Sequence, residues 1–81
     1  MNLLQEILAL VTKGKQIGEM KVIVMSPQIY RSLSEGIGPI YRFYGLEVKL
    51  DERPYFPTVK LFNGRNEVIV WKEFKEKQEV I

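Results

Sequence analysis

The sequence predicts an α+β fold in a single small domain. Three observations carry this. Two short helical patterns occupy the first half, β-branched and aromatic runs alternate with and follow them, and Asn63-Gly64 separates two of those runs as a hairpin turn would. The expected architecture is about four strands in a mainly antiparallel sheet, closed by a C-terminal Asn-Gly hairpin, with two helices at about 2–13 and 27–35. The domain takes in residues 1–81, with 73–81 read as a frayed, charged tail.

From Leu3 to Val11, apolar residues fall at Leu3, Leu4, Ile7, Leu8, Leu10 and Val11, a helical stripe with Gln5 and Glu6 on its far side. Asn2 fits an N-cap, and Thr12-Lys13-Gly14 reads as a stop, because lysine suits a helix C-terminus and glycine follows it. Met20 to Met25 is an unbroken apolar run and predicts a central strand covered on both faces. Ser26-Pro27 then opens a helix, with Ser26 as cap and Pro27 at the first helical position, where its missing N–H costs nothing. Ile29 and Leu33 form its inward pair, and Gly36 closes it.

Leu46-Glu47-Val48-Lys49-Leu50 alternates apolar and polar residues and predicts a strand, with Tyr41 to Tyr44 leading into it. Gly45 between them suits a bend, a bulge or a tight turn. Asp51 to Pro57 is a proline-bounded loop. Across Asn63-Gly64 a two-residue type I′ turn would set Phe62 opposite Arg65, Lys60 opposite Glu67 and Val59 opposite Val68. Alternation then assigns Val59, Leu61, Val68 and Val70 to the core face. Lys60, Phe62, Arg65, Glu67, Ile69 and Trp71 fall on the outer face.

Composition narrows the chemistry. The chain has 81 residues, 46% hydrophobic and 27% charged, with a net charge of +2, an ordinary globular balance. Twelve basic residues against ten acidic ones make no dense phosphate-binding field. Without cysteine or histidine, thiolate catalysis, sulfur-based zinc sites and the usual general base are all missing, so no catalytic residue, metal ligand or cofactor is expected. No signal-like segment and no apolar run of membrane-spanning length is read, which makes a cytoplasmic protein the expectation.

The outer hairpin face mixes charges with large apolar groups, and such patches usually meet a partner. Phe62, Ile69, Trp71 and Arg65 are therefore the candidate protein-interaction residues. A second candidate interleaves rings and guanidinium groups as a single-stranded nucleic-acid binder does, through Tyr41, Arg42, Tyr44, Arg65 and Trp71. A third, Glu47-x-Lys49, resembles a metal-nuclease pair but lacks a second acidic ligand on a neighbouring strand.

Residues Val22-Ile23-Val24-Met25-Ser26-Pro27-Gln28-Ile29-Tyr30-Arg31-Ser32-Leu33 and Phe43-Tyr44-Gly45-Leu46-Glu47-Val48-Lys49-Leu50-Asp51 resemble a pattern in tailed-bacteriophage proteins. An apolar strand, a Ser-Pro-capped helix and a Gly-Leu-x-Val-x-x-Asp strand recur in major capsid proteins and in small phage proteins of unknown role. The resemblance spans Val22 to Asp51 and implies a phage-encoded origin, hence the host cytoplasm or the virion. It transfers neither shell formation nor any functional residue. The resulting expectation is a small non-enzymatic protein-interaction module that self-associates as a homo-oligomer. Single-stranded nucleic-acid binding is the alternative.

Overall fold

Val22–Met25 forms strand β1 at the middle of the sheet, the place an unbroken β-branched run suits best. The computed structural model describes residues 3–35, 38–54 and 56–74. Helix α1 covers Leu3–Ile17 and α2 covers Pro27–Ser34, while β2 is Arg42–Phe43, β3 Leu46–Leu50, β4 Thr58–Phe62 and β5 Val68–Glu73. Among the described residues the fold is thus α+β with two helices, as expected, but the sheet has five strands and is mixed, in the order β2-β3-β1-β4-β5. β1 and β3 run parallel, joined through α2, and the other three pairings are antiparallel.

The fifth strand comes from Gly45. Tyr44 and Gly45 have φ of 51° and 84° and stand between the paired Phe43 and Leu46, the two positive φ values of a type I′ turn. Tyr41 to Tyr44 therefore does not lead into β3 but folds back on it as β2.

Both helices lie on one face. Ile7, Leu10 and Val11 of α1 and Ile29 of α2 are buried in one cluster with Ile23, Met25, Val59, Leu61 and Val70. The expectation that both faces of β1 would be covered is corrected here: Ile23 and Met25 are sealed, whereas Val22 and Val24 are only half-buried on the other face. Tyr30 and Leu33 pack at the margin of this core, and the Tyr30 hydroxyl accepts the Ile40 N–H at 3.0 Å, tying α2 to the segment that enters β2.

Helix α1 also runs past its expected stop. Gly14 is buried within it, and a Cβ there would lie 3.0 Å from Leu61 Cδ1 and 3.2 Å from Met20 Sδ. Glycine lets the helix approach the sheet; it does not end the helix. Ser26 departs from its expected role in a similar way. It stands at the cap position without a side-chain cap bond, and its buried hydroxyl instead accepts the Thr58 N–H at 2.8 Å. The hydroxyl holds β4 against the end of β1.

The hairpin joining β4 and β5 exists with a different turn and register. Asn66 N–H donates to Asn63 C=O at 3.2 Å, Asn63 N–H donates to Glu67 C=O at 3.1 Å, and Asn66 has φ of 61°. This is the three-residue loop in which a type I turn is followed by a left-handed residue. Lys60 consequently pairs with Trp71, not with Glu67, and a bulge at Ile69 separates the Phe62–Val68 pair from Leu61–Val70. Strand β5 continues to Glu73, and Phe74 N–H donates to Pro57 C=O at 2.7 Å, so these two residues of the expected tail are ordered against the sheet. The remainder of that tail, the Asn2 cap and the Gly36 stop lie outside the described residues.

Candidate functional site

Among the described residues, no helix covers the opposite face of the sheet. Cross-strand registers define two rows on it. Arg42, Glu47, Val22, Phe62 and Val68 form one, and Lys49, Val24, Lys60 and Trp71 form the other. Trp71 is 56% exposed and Val68 44%. Arg53, Pro54 and Phe56 stand beside them, and at the end of β1 Asp51 N–H donates to Met25 C=O at 3.1 Å. The result is a shallow groove of about 690 Å³, bounded by Arg53, Pro54, Phe56, Lys60, Val68 and Trp71, with Thr58 and Glu73 at its end.

One wall of this groove is stiffened by a local clamp. The Asp51 carboxylate accepts the Arg53 backbone N–H at 3.0 Å, Nε at 2.9 Å and Nη2 at 3.1 Å. The side-chain bonds from Arg53 and then its backbone bond hold the Asp51 carboxyl down at about 2, from 3.8. The same pairing raises the Arg53 guanidinium. Since the two charges satisfy each other, Lys60 and Glu73 are left as the remaining charged side chains among the described residues of the groove, one of each sign. Among those residues the groove is amphipathic and nearly neutral, with Trp71 and Phe56 as large rings.

The sequence-derived interaction residues are only partly brought together. Phe62 and Trp71 do share the helix-free face, in adjacent rows. Ile69 does not join them, because the bulge turns it toward the core cluster. Val68, expected in the core, takes the outer position beside Phe62 instead. Arg65 sits at the exposed loop tip, its backbone N–H donating to Asn63 Oδ1 at 2.9 Å, outside the groove lining. The groove wall made by Arg53, Pro54 and Phe56 was missed. Its signal was the proline-bounded loop, whose position over the strand ends depends on a strand order that residues alone do not reveal.

The nucleic-acid set divides between the two edges of the sheet. Tyr41, Arg42 and Tyr44 belong to the β2 edge and Trp71 to β5, four strand spacings or about 19 Å apart. Tyr44 packs edge-to-face on Phe43, with ring centroids 4.7 Å apart, beside a second, apolar cleft of about 550 Å³ between Leu3, Leu4, Leu33, Ile40 and Phe43. Glu47 and Lys49 are exposed on β3, Asp51 is engaged by Arg53, and the described residues contain no group of three or more potential metal ligands. No helix among them is long and apolar enough to cross a membrane.

No protein-family model, curated protein or solved structure matches the chain.

Proposed function

We propose that this chain is a small, non-enzymatic protein-interaction module that self-associates and docks partners on the helix-free face of its sheet. The observation that carries this is Trp71, more than half exposed beside Phe56 and Val68 in a groove with little net charge. Exposed tryptophan with apolar neighbours and a polar rim is the composition of an interface centre, where a few rings supply most of the binding energy. The likeness of residues 22–51 to tailed-phage segments supports a phage-encoded origin, with the host cytoplasm or the virion as its place of action.

Affinity capture with the whole chain as bait tests the reading. Trp71→Ala combined with Phe62→Ala is expected to leave the far-ultraviolet circular dichroism unchanged and to remove the proteins captured by the wild type. Unchanged capture would refute the assignment of the groove.

The second reading, single-stranded nucleic-acid binding, draws on the row that sets Lys49 and Lys60 in line with Trp71. Glu47 and Glu73 on the same face weigh against it. It predicts oligonucleotide binding that weakens steeply with salt as counterions are released. Such binding, seen by fluorescence anisotropy at low salt, would overturn the first reading in favour of this one.

A further inference from the structure

The two edges of the sheet are built differently. The β2 edge is a strand of two residues, Arg42 and Phe43, bounded by Pro39 ahead of it and the tight turn at Tyr44-Gly45 behind it. Short strands and nearby proline are how proteins blunt an edge against pairing. The β5 edge has six residues, Val68-Ile69-Val70-Trp71-Lys72-Glu73, with no proline, and among the described residues no strand lies outside it.

The polarity of that edge follows from the hydrogen bonds. Phe74 N–H donates to Pro57 C=O, so in the antiparallel pair Phe74 and Lys72 turn their backbone groups toward β4 and the alternate residues turn theirs away. On β4 the same alternation points Thr58 toward β1, where its C=O accepts Ser26 N–H at 3.0 Å. The N–H and C=O groups of Trp71 and Glu73 therefore project outward, on the regular part of the strand beyond the bulge.

We infer that β5 pairs antiparallel with β5 of a second copy across a twofold axis at Lys72, joining two sheets into one. This rests on the reading of the chain as self-associating and names the surface that does it. In this register Trp71 exchanges backbone hydrogen bonds with Glu73 of the second copy, and symmetry repeats the exchange. On the helix side, Val70 meets Phe74 of the second copy. Lys72 meets its own copy, and each ammonium is already countered by Glu6 at 3.3 Å. The twofold makes the surface self-complementary, and the blunted β2 edge stops growth at a dimer where two open edges would give a filament.

Two variants of the full chain test this by light scattering and cross-linking. Wild type at high micromolar concentration is expected to show about twice the 9.5 kDa mass of one chain. Glu73→Pro removes an outward N–H and leaves the β4 ladder whole, the edge position that tolerates proline, so the mass should halve. Lys72→Cys, in a chain that has no cysteine, would place two thiols on the axis. Cα atoms in a pair of that type lie about 4.5 Å apart, within disulfide range. It should form a covalent dimer under mild oxidation far faster than Lys13→Cys, on the exposed side of α1. Should Glu73→Pro unfold, the Lys72→Cys rate decides alone.

A monomeric wild type overturns both this pairing and self-association, while partner capture through Trp71 stands or falls separately. A dimer that Glu73→Pro leaves intact, with Lys72→Cys no faster than Lys13→Cys, overturns the β5 pairing and leaves self-association through another surface.

Discussion

Gly14→Ala separates two roles for one glycine. Within a helix, alanine is favoured over glycine by about 1 kcal/mol, so an unconstrained site would be stabilised. Here the new methyl would lie 3.0 Å from Leu61 Cδ1 and 3.2 Å from Met20 Sδ, and Leu61 is fully buried. Relieving those contacts requires Leu61 and Met20, both buried, or α1 itself to give by a few tenths of an ångström, an overpacking cost of about 1–3 kcal/mol. The net expectation is a loss of up to about 2 kcal/mol, or a melting temperature roughly 4–8 °C lower per kcal/mol in a domain of this size. Leu61→Val removes the clashing carbon. In that background only the Met20 contact at 3.2 Å remains, so Gly14→Ala should cost less or recover up to about 1 kcal/mol, giving a favourable coupling in a double-mutant cycle followed by thermal and urea unfolding. An equal cost of Gly14→Ala in both backgrounds would refute the packing role and favour a backbone role such as a helix stop.

Three further outcomes follow from the hydrogen bonds and backbone angles. Ser26→Ala should cost about 1–3 kcal/mol in urea unfolding, because it strands the buried Thr58 N–H that Ser26 Oγ accepts; a cost below half of that range would mean another acceptor takes its place. Gly45→Ala should cost about 1–2 kcal/mol from the left-handed backbone alone, since nothing lies within 4 Å of the added carbon. Gly64→Ala should stay within about 0.5 kcal/mol, and the reverse ranking would restore the type I′ turn to Asn63-Gly64. For Asp51, the folded-state value is depressed from 3.8 to about 2, so the clamp's contribution is complete above the usual carboxylate range and is lost as pH falls through about 2. A carboxyl titration by NMR should find that low midpoint, and Arg53→Ala should return it toward 3.8; a wild-type midpoint already near 3.8 would remove the clamp.

The parts of the fold that local chemistry decides could be read from the residues. The β-branched run at Val22 to Met25 suits the middle of a sheet, and Pro27 suits the first position of a helix, where its missing N–H costs nothing. The glycines were harder, because one residue type serves different ends at different positions. At Gly45 it supplies positive φ, at Gly14 it makes room for Leu61, and at Gly64 neither need applies. Asn63-Gly64 predicts a type I′ turn, but the Asn63 side-chain oxygen accepts the N–H groups of Arg65 and Glu67, and with that local competition the left-handed position falls at Asn66. The register shift that follows sends Ile69 inward and Val68 outward. Trp71 and Phe62 were found because alternation still set them on the outer face. The wall built by Arg53 and Phe56 depended on strand order, which is a long-range property.

The packing of α1 against β5 also has a consequence for synthesis. Lys72 Nζ meets Glu6 across 66 positions of sequence, and Val70 shares a core with Ile7. At about 5–20 residues per second, synthesis separates Glu6 from Lys72 by on the order of 3–13 s. Ile23, Val59 and Leu61, which share the same core, are made before β5, so the central strands become available to the stripe of α1 first and the β5 contact only afterwards.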